Sequence, residues 1–491
     1  MGTLFRNGTI ITAADMFVAD LLVEGETIQR IGRALDAAGH TVVDCSGKYL
    51  MPGGIDVHTH LELSFGGTVS NDDFDSGHKA AAFGGTTMHI DFVIQPKGGS
   101  LHDGLAEWRA KAQKAQIDYG FHMAITDLRE DVMEEIPSML DEGITSLKLF
   151  MAYKNVYQVD DTTLYRAMQM AAKHGMIIMV HAENGDVEVQ LRQQLLAEGK
   201  TDPVWHYSSR PPEIEGEATN RAVVMAGLAD CRLYVVHMTC EQSIAALRRG
   251  RAEGYPVMGE SCVQYFHITR DHHLGAPGFE GSKYVCSPPV RNEEHHAVLW
   301  QAVRDGTLQV VSTDHCDFWY EGGVGPWQQW QKDHNGGKWV EFEAQNPSYR
   351  RPGKELGKGN FSKIPNGLPA IEDRMMVMWH LGVNGGHLSP QRFVEMNCTN
   401  PARIFGMYPR KGALVVGADA DIVVWDPNKQ HTLSAATQHM RCDYSLFEGM
   451  EVQGAPVQVF QRGKKLVEGA QWLGKNGQGQ YIAREANAAI L

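Results

Sequence analysis

Histidine and aspartate side chains recur in this sequence directly after short apolar runs. His58 and His60 end the run GIDVHTH, His181 lies in MIIMVHAE, His237 in RLYVVHM and Asp314 in LQVVSTDH. Neutral imidazole and carboxylate are ligands that zinc and similar divalent ions accept in proteins. Side chains two apart in a strand share a face, so His58 and His60 could bind one cation. Taken alone, that pair could equally be two ordinary histidines, whereas the whole set predicts a metal site.

A lysine lies inside another apolar run, SLKLF, where Lys148 should point into the core. Burying a lone ammonium group is costly, so the amine must be paired, neutral or modified. A neutral lysine amine can react with CO2 to give a carbamate, whose two oxygens could bridge two cations. The residues alone leave open whether Lys148 is such a carbamate or extends to solvent.

The elements that carry these residues form a repeating pattern. Helix-like stretches such as DTTLYRAMQMAAKHG separate eight short apolar runs, which are GIDVHTH, TTMHIDF, YGFHMAI, TSLKLF, MIIMVHAE, RLYVVHM, YPVMGES and LQVVSTDH. Helix-length connections indicate parallel strands, and unbroken apolar runs indicate strands buried on both faces. We therefore predict an α/β fold built on a (β/α)8 TIM-like barrel, with the site at the carboxyl ends of its strands. An open doubly wound sheet is the alternative, but no G-x-G-x-x-G motif follows the first strand.

Strand-like patterns also mark both ends of the chain. Short alternating runs fill the first fifty residues and return in GALVVGADADIVVWDP and APVQVFQRGKKLVEG. We predict a small β-sandwich domain assembled from residues 1–52 and 401–470, around a catalytic barrel at 53–400. Residues 471–491 are predicted to form a C-terminal tail. A long insertion at about 318–360 interrupts the repeat, either as a decorated surface loop or as an active-site lid.

Composition narrows the class of protein. Of 491 residues, 43% are hydrophobic and 21% charged, which is ordinary for a folded chain. A net charge of −14 argues against a nucleic-acid or anionic-membrane partner, since both need a basic face. No apolar run approaches the length of a membrane span, and the beginning lacks the layout of a signal peptide. The eight scattered cysteines without a CxxC pair are typical of reduced thiols, so we expect a cytoplasmic protein.

Ten stretches together resemble the dihydropyrimidinase/D-hydantoinase family of the metal-dependent amidohydrolase superfamily. They span nearly the whole chain and include PGGIDVHTHLE, LKLFMAYK, VHAENGD, RPPEIEGEATNRA, VVHMTCEQS, CSPPVRN, VVSTDHC and KIPNGLPAIEDRM. The resemblance implies a centre of two divalent ions, with Zn²⁺ expected. Its implied ligands are His58, His60, Lys148 and Asp314 for one ion, and Lys148, His181 and His237 for the other. Lys148 would then be the carbamate, N6-carboxylysine.

The same resemblance implies contacts with a small neutral cyclic amide. Tyr153 of MAYK is the expected catalytic hydroxyl, while Ser287 of CSPP and Asn366 of IPNG would hold the ring through main-chain atoms. On local grounds alone, that serine and that asparagine are ordinary turn residues. The side chains implied to shape the pocket for the exocyclic substituent are Phe65, Phe150 and Tyr157, which favour an apolar or small substituent. The family also implies a homotetramer.

The reaction implied is that of a dihydropyrimidinase. A hydroxide held between two ions would attack the ring carbonyl of 5,6-dihydrouracil, dihydrothymine or a hydantoin, giving an N-carbamoyl amino acid. Tyr153 would stabilise the oxyanion, and Asp314 would carry the proton to the leaving nitrogen. Relatives that open dihydroorotate usually place an arginine shortly after the HxH pair, whereas Leu61, Glu62 and Leu63 follow it here.

Three alternatives stay open at this point. A D-hydantoinase of broad or non-pyrimidine substrate range would use the same residues. A non-catalytic scaffold homologue would have lost the ligands, whereas this chain keeps every ligand position. A mononuclear hydrolase or deaminase on the same barrel would hold one ion and leave Lys148 unmodified.

Overall fold

The computed structural model describes residues 2–323, 329–330, 332–334, 345–346 and 349–486. Its strands are β1 (Thr3–Ile11), β2 (Met16–Glu24), β3 (Thr27–Gly32), β4 (Thr41–Asp44), β5 (Tyr49–Pro52), β6 (Gly54–Thr59), β7 (Ser64–Phe65), β8 (Thr68–Val69), β9 (Thr86–Ile94), β10 (Asp118–Ala124), β11 (Ser146–Phe150), β12 (Ile177–His181), β13 (Arg232–Val235), β14 (Val257–Cys262), β15 (Val310–Ser312), β16 (Ile422–Thr432), β17 (Glu451–Gln461), β18 (Lys464–Glu468) and β19 (Gln471–Trp472).

Helices connect most of the central strands. They are α1 (Ser76–Phe83), α2 (Leu101–Lys111), α3 (Glu130–Glu135), α4 (Ser138–Asp141), α5 (Asp161–Lys173), α6 (Gly185–Ala197), α7 (Trp205–Ser209), α8 (Pro212–Leu228), α9 (Glu241–Ala252) and α10 (Glu293–Arg304), followed by α-helical segments at Arg374–Met378, Pro390–Val394 and Asn400–Ile404. Short 3-10 segments lie at Ala112–Lys114, Val263–Phe266, Glu280–Tyr284, Lys354–Gly357 and Phe361–Lys363, and π segments at Arg270–Leu274, Trp379–Asn384 and Glu395–Thr399.

Eight parallel strands form the central sheet, in the spatial order β6, β9, β10, β11, β12, β13, β14 and β15. Its two edges meet, because Thr59 pairs with His315 in a parallel bridge and the His60 amide donates to the His315 carbonyl at 2.8 Å. The sheet is therefore closed into a barrel, and each strand coincides with one of the eight apolar runs. The predicted (β/α)8 fold is confirmed.

The packing follows from strands that are apolar on both faces. Side chains such as Ile55, Ile90 and Met179 form a buried cluster inside the barrel, while their neighbours along the strands pack outward against the helices. One of these helices, α5, begins after Asp160, whose side chain accepts the Thr163 amide at 2.8 Å. Its buried residues recur at helical spacing and are all apolar, namely Leu164, Ala167, Met168 and Ala171.

Both ends of the chain contribute to one nine-stranded sheet outside the barrel. Its order is β19-β18-β17-β16-β5-β1-β2-β3, with β4 paired to β1. β16 joins β5 in antiparallel pairing, which brings the two termini together. Thr27 bridges to Asp419 ahead of β16, so the sheet curls around its own apolar core. The predicted β-structure from both termini is confirmed, while the residue limits of the domains stay a prediction.

The described part of the C-terminal tail lies against its own barrel. Tyr481 bridges to Tyr119 at the amino end of β10, and the Ile482 amide donates to the Tyr119 carbonyl at 2.8 Å. Ile482 also joins the apolar cluster inside the barrel. No described helix is both long enough and apolar enough to cross a bilayer.

The described parts of the insertion contact the hairpin of β7 and β8. Trp330 packs against Val69, and the Thr68 hydroxyl donates to the Pro352 carbonyl at 2.5 Å. Trp327 and Trp339, which fall in the predicted insertion, lie outside the described residues. The role of the insertion as a lid stays a prediction.

Candidate metal centre and active site

One cavity at the carboxyl end of the barrel brings together all the metal ligands and substrate contacts predicted from the sequence. Its lining includes His58, His60, Phe65, Lys148, Phe150, Tyr153, Tyr157, His181, His237, Ser287, Asp314 and Asn366. The metal-ligand candidates come from five different strands or the loops directly after them. Because the carboxyl ends of parallel barrel strands converge on one rim, residues far apart in sequence meet here.

Two histidines converge on Asp314. The Nε2 atoms of His58 and His60 lie 3.0 and 3.1 Å from the same Oδ1 atom of Asp314. Burial by itself would raise the pKa of Asp314, but the two imidazoles outweigh it and hold that pKa well below its usual value. Ligand atoms of His58, His237 and Asp314 lie within 4.8 Å of one another. This carboxylate is therefore charged and lies where a cation would have nitrogen donors as neighbours.

A second pair of histidines completes the cluster. His237 Nε2 lies 2.9 Å from His181 Nδ1, and His181 Nε2 donates to Glu183 at 2.7 Å. In that tautomer His181 Nδ1 presents a lone pair to the cavity. Burial lowers the pKa of His181 and of His237 well below the usual value, so both rings are neutral, as metal ligation requires. Glu183 is held in turn by Arg210 at 2.9 Å.

His58 is oriented by a buried acid in β14. Its Nδ1 donates to Glu260 Oε1 at 2.5 Å, and the Tyr234 hydroxyl donates to Glu260 Oε2 at 3.0 Å. A carboxylate that accepts the second ring proton of a metal-ligating histidine fixes the tautomer and the orientation of that ring. Glu260 is placed to do this for His58, as Glu183 is for His181.

Lys148 lies in the cluster, and no carboxylate of the described residues forms an ion pair with it. Its Nζ is 4.9 Å from the ring centre of Phe92 and 5.2 Å from that of Phe150. Burial lowers the pKa of Lys148 to about 7, although the charges of Asp314 and Glu260 oppose the shift. Much of the amine is therefore neutral near neutral pH. A neutral, buried amine is the reactant that carbamate formation needs.

The donors gathered here fit divalent ions that prefer nitrogen and oxygen. Burial lowers the pKa of His60 to about 4, so this imidazole is neutral as well. Three thiols lie close by, but burial raises the pKa of Cys262, Cys286 and Cys316 and keeps them protonated. Protonated thiols are poor ligands. The set of imidazoles, one carboxylate and one lysine therefore suits a catalytic centre rather than a structural cysteine site.

Tyr153 projects into the same cavity beside the histidines. Its ring centre lies 5.0 Å from that of His181, and burial raises the pKa of its hydroxyl, which therefore remains a donor. Its φ of 66° is in the left-handed region, as are those of His237 at 40° and Asp314 at 51°. Such backbone is uncommon outside glycine and concentrates at functional sites, where it aims a side chain.

Aromatic side chains form the wall beside Tyr153. The Phe65 ring centre lies 5.2 Å from Tyr153 and 6.0 Å from Tyr157, and Phe150 lies 5.2 Å from Tyr157. Phe65 comes from the β7–β8 hairpin, which the Tyr157 hydroxyl anchors by donating to the Ser64 carbonyl at 3.2 Å. Beyond this wall, the site opens into a cavity of about 1420 Å³.

Ser287 and Asn366 meet at the cavity from two separate loops. Asn366 Nδ2 donates to Ser287 Oγ at 3.0 Å, and the Gly367 amide donates to the Val285 carbonyl at 3.1 Å. Both residues line the cavity that contains the histidines. The structure therefore brings together two residues that local sequence describes only as turns.

Comparison with known proteins identifies the family of this chain. The amidohydrolase family model matches residues 49–466. The chain is 46% identical to D-hydantoinase of Geobacillus stearothermophilus, over 100% of this chain and 98% of that protein. It belongs to the amidohydrolase family. Within that family it groups with the D-hydantoinases and dihydropyrimidinases, and the resemblance drawn from the motifs is confirmed.

Two further relatives support this placement in the amidohydrolase family. The chain is 36% identical to dihydropyrimidinase of Rattus norvegicus, over 99% of this chain and 90% of that protein. A crystal structure of dihydropyrimidinase from Brevibacillus agri matches with a TM-score of 0.92 at 46% identity, over 100% of both chains. Relatives of both names therefore share the whole length of this chain.

Sequence reasoning missed the acids that support the histidines of this amidohydrolase. Glu260 had a usable signal, because an acid inside the apolar run YPVMGES must find a buried partner, as Lys148 must. Glu183 follows His181 closely in the sequence, but that spacing alone does not indicate that it accepts the ring proton of His181. Arg210 had no local signal, since it reaches Glu183 from the segment before α8.

Proposed function

We propose that this amidohydrolase is a dihydropyrimidinase, which hydrolyses the cyclic amide bond of 5,6-dihydrouracil and dihydrothymine, and also of hydantoins, to N-carbamoyl amino acids. The observation that carries the proposal is one cavity that combines four histidines, an aspartate and a buried lysine with a protonated tyrosine. We call the cavity that contains the four histidines the inner cavity. Among the described residues that line it, Lys148 is the only lysine or arginine. A ring with its own carboxylate would find no further cation there, which favours a neutral ring.

The site is proposed to hold two divalent ions, with Zn²⁺ as the expected metal for these donors. The ligands would be His58, His60, carbamylated Lys148 and Asp314 for one ion, and Lys148, His181 and His237 for the other. The short distances from His58 and His60 to Asp314, and from His237 to His181, support these sets. When bound, such a pair supplies a nucleophile at neutral pH and polarises a carbonyl.

The chain's own residues would orient the ring and move the proton. Ser287 and Asn366 hold the ring amide at the cavity. The Tyr153 hydroxyl donates a hydrogen bond to the carbonyl oxygen as negative charge develops on it. The Asp314 carboxylate accepts a proton from the attacking water and passes it to the ring nitrogen as the C–N bond breaks.

A D-hydantoinase of broad substrate range is the second candidate, because the site opens outward. Beyond Phe65 and Tyr157, the cavity of about 1420 Å³ has room for a bulky substituent on the ring. Relatives with both names match the whole chain, so the comparisons favour neither. The chemistry at the ring would be the same in both cases.

Ring opening of three substrates tests this proposal. We would measure kcat/KM for 5,6-dihydrouracil, hydantoin and a bulky 5-substituted hydantoin, with divalent ions supplied. The highest value is expected for dihydrouracil, whereas a preference for the bulky hydantoin would make the protein a D-hydantoinase. Asp314→Asn is the matched control and should nearly abolish turnover of all three while the fold persists. If the unmodified protein opens none of the rings, the proposal is wrong.

We also propose a homotetramer that works in the cytoplasm. The eight cysteines are all buried and none forms a disulfide, as expected in a reducing compartment. The tetramer follows from the family resemblance. Light scattering on the purified protein should give the mass of four chains, and a monomer would contradict this part of the proposal.

A further inference from the structure

Lys354 is a second buried lysine beside the cavity, and it donates only to main-chain carbonyls. Its Nζ lies 3.0 Å from the Val285 carbonyl, 2.7 Å from that of Pro365 and 2.8 Å from that of Gly367. The side chain is fully buried. Because an ammonium group has three N–H donors, these three carbonyls satisfy it completely.

No carboxylate neutralises this ammonium group among the residues that the structure describes. Burial lowers the pKa of Lys354 to about 8, and the ring of Phe318 lies 5.7 Å from Nζ. Taking an unpaired cation out of water costs free energy that carbonyl dipoles offset only in part. An apolar side chain in its place would leave the Pro365 and Gly367 carbonyls without this donor. The lysine is therefore kept for the carbonyls that it holds.

The three carbonyls belong to the segments 285–287 and 365–367, and both segments line the inner cavity. They are also tied to each other directly, since the Gly367 amide donates to the Val285 carbonyl at 3.1 Å. Lys354 reaches this junction from the insertion that interrupts the barrel repeat. A single side chain thus fixes both segments from the side away from the cavity.

Fixing a carbonyl also aims the amide of the same peptide unit, because the two groups point in opposite directions across a planar bond. The bond to the Pro365 carbonyl orients the amide of Asn366, and the bond to the Val285 carbonyl orients the amide of Cys286. Both of these residues line the cavity, and in the described structure neither amide has a backbone or side-chain acceptor. A charged donor on the carbonyl also polarises the unit and strengthens its N–H as a donor.

We propose that Lys354 is a positioning residue for the substrate, which aims main-chain amides of segments 285–287 and 365–367 at the polar atoms of a cyclic amide ring. This inference rests on the proposed function, because the ring is the ligand that these amides would bind. It gives the insertion a defined part in substrate binding. Since Asp314 and Tyr153 are untouched, losing Lys354 weakens binding of the ground state and the transition state alike, which raises KM more than it lowers kcat.

Three variants test the proposal in the full-length, metal-loaded protein. Lys354→Met removes all three donors, Lys354→Gln keeps a neutral amide with two N–H groups, and Lys358→Met makes the same change at an exposed lysine of the same segment. For Lys354→Met we expect KM for dihydrouracil to rise about tenfold, the order for one lost oriented hydrogen bond, with kcat within about threefold. Lys354→Gln should lie between, and Lys358→Met should match the unmodified protein.

Metal content and the thermal midpoint of each variant separate binding from folding. If Lys354→Met does not fold, Lys354→Gln carries the test on the same KM criterion. A folded Lys354 variant with the unmodified KM overturns the inference, as does a fall in kcat alone or an equal rise of KM in Lys358→Met. If the unmodified protein opens no ring, the proposed function is wrong and the role of Lys354 is wrong with it. If the enzyme is active but the KM values of the Lys354 variants are unchanged, only the positioning role of Lys354 is wrong.

Discussion

Two lysines at opposite ends of the barrel are equally buried but differently surrounded. Near the amino end of β10, Lys411 Nζ lies 2.5 Å from Asp118, 2.7 Å from Asp421 and 3.0 Å from Asp419. Burial would lower the pKa of Lys411, but these carboxylates outweigh it and raise that pKa. Lys148 at the carboxyl end has no carboxylate within such distances in the described part of the chain, and burial lowers its pKa to about 7.

The difference teaches that burial alone does not mark a functional lysine. Lys411 donates to Asp118 of the barrel and to Asp421 next to the terminal sheet and also pairs with Asp419, so its amine stays charged and ties the two parts together. Lys148 packs against the Phe92 ring and keeps a partly neutral amine among the candidate metal ligands. At the carboxyl end of the barrel, its mouth, the buried lysine thus keeps an amine that is available for chemistry. At the amino end, its base, the amine of the buried lysine is occupied by carboxylates.

The largest effect is expected when Lys148 is removed from the mouth. Lys148→Ala should lower kcat/KM for ring opening by about 10³-fold or more, because the proposed reaction needs both ions and Lys148 is a proposed ligand of each. Metal content should fall with it, and a small added carboxylate should restore part of the activity. Lys173→Ala, at the exposed end of α5, is the matched control. Full activity of Lys148→Ala without added carboxylate would show that Lys148, like Lys411, has no part in the chemistry. It would contradict the proposed carbamate.

Tyr153→Phe should have the next largest effect, on kcat rather than on KM. Removing one donor to a developing oxyanion typically costs about 10²–10³-fold in kcat. Steady-state kinetics of this variant and of Tyr165→Phe, the same change on α5, would show whether the loss is specific. A change confined to KM would show that Tyr153 binds the ring and does not stabilise the oxyanion.

Glu260→Gln should have a smaller effect, because this residue acts through His58. Changing such a supporting carboxylate typically costs about 10–100-fold in metal affinity or activity. Competition with a chelator would measure the affinity of the metal-depleted protein for divalent ions. Unaltered affinity would mean that packing alone orients the His58 ring, and that Glu260 does not contribute to metal binding.

The smallest effect on turnover is expected from Lys411→Met at the base. It should leave kcat of the folded protein unchanged but lower the free energy of unfolding by about 3–5 kcal/mol, because Asp118 and Asp421 are left buried without their cation. Burial already raises the pKa of Asp421, so the loss should be smaller in acid, where that carboxyl is protonated, and larger at neutral pH. Denaturant unfolding at two pH values would measure this loss of unfolding free energy. A lower kcat of the folded variant would contradict the view that Lys411 contributes to stability alone.

Much of the fold and of the candidate site follows from local sequence. Each barrel strand is a mostly apolar run, and a polar residue at its carboxyl end lies near the rim, so His58, His181 and Asp314 could be placed without a structure. Ser287 and Asn366 entered only through family resemblance, since a turn residue gives no sign of what it faces. The partners of Glu260 and Lys354 lie far away in sequence, so they depend on how distant segments pack, which no local pattern contains. The roles of these site residues stay predictions.

A metal titration followed by ring opening tests the central claim most directly. Metal-depleted protein would be titrated with Zn²⁺ in the presence of CO2 while hydrolysis of 5,6-dihydrouracil is recorded. Our account predicts that activity appears on binding and saturates at two ions per chain. Saturation at one ion would indicate a mononuclear enzyme with an unmodified Lys148. No activity at any ratio, with this ring or a hydantoin, would contradict the account and leave a barrel whose ligand set does no chemistry on cyclic amides.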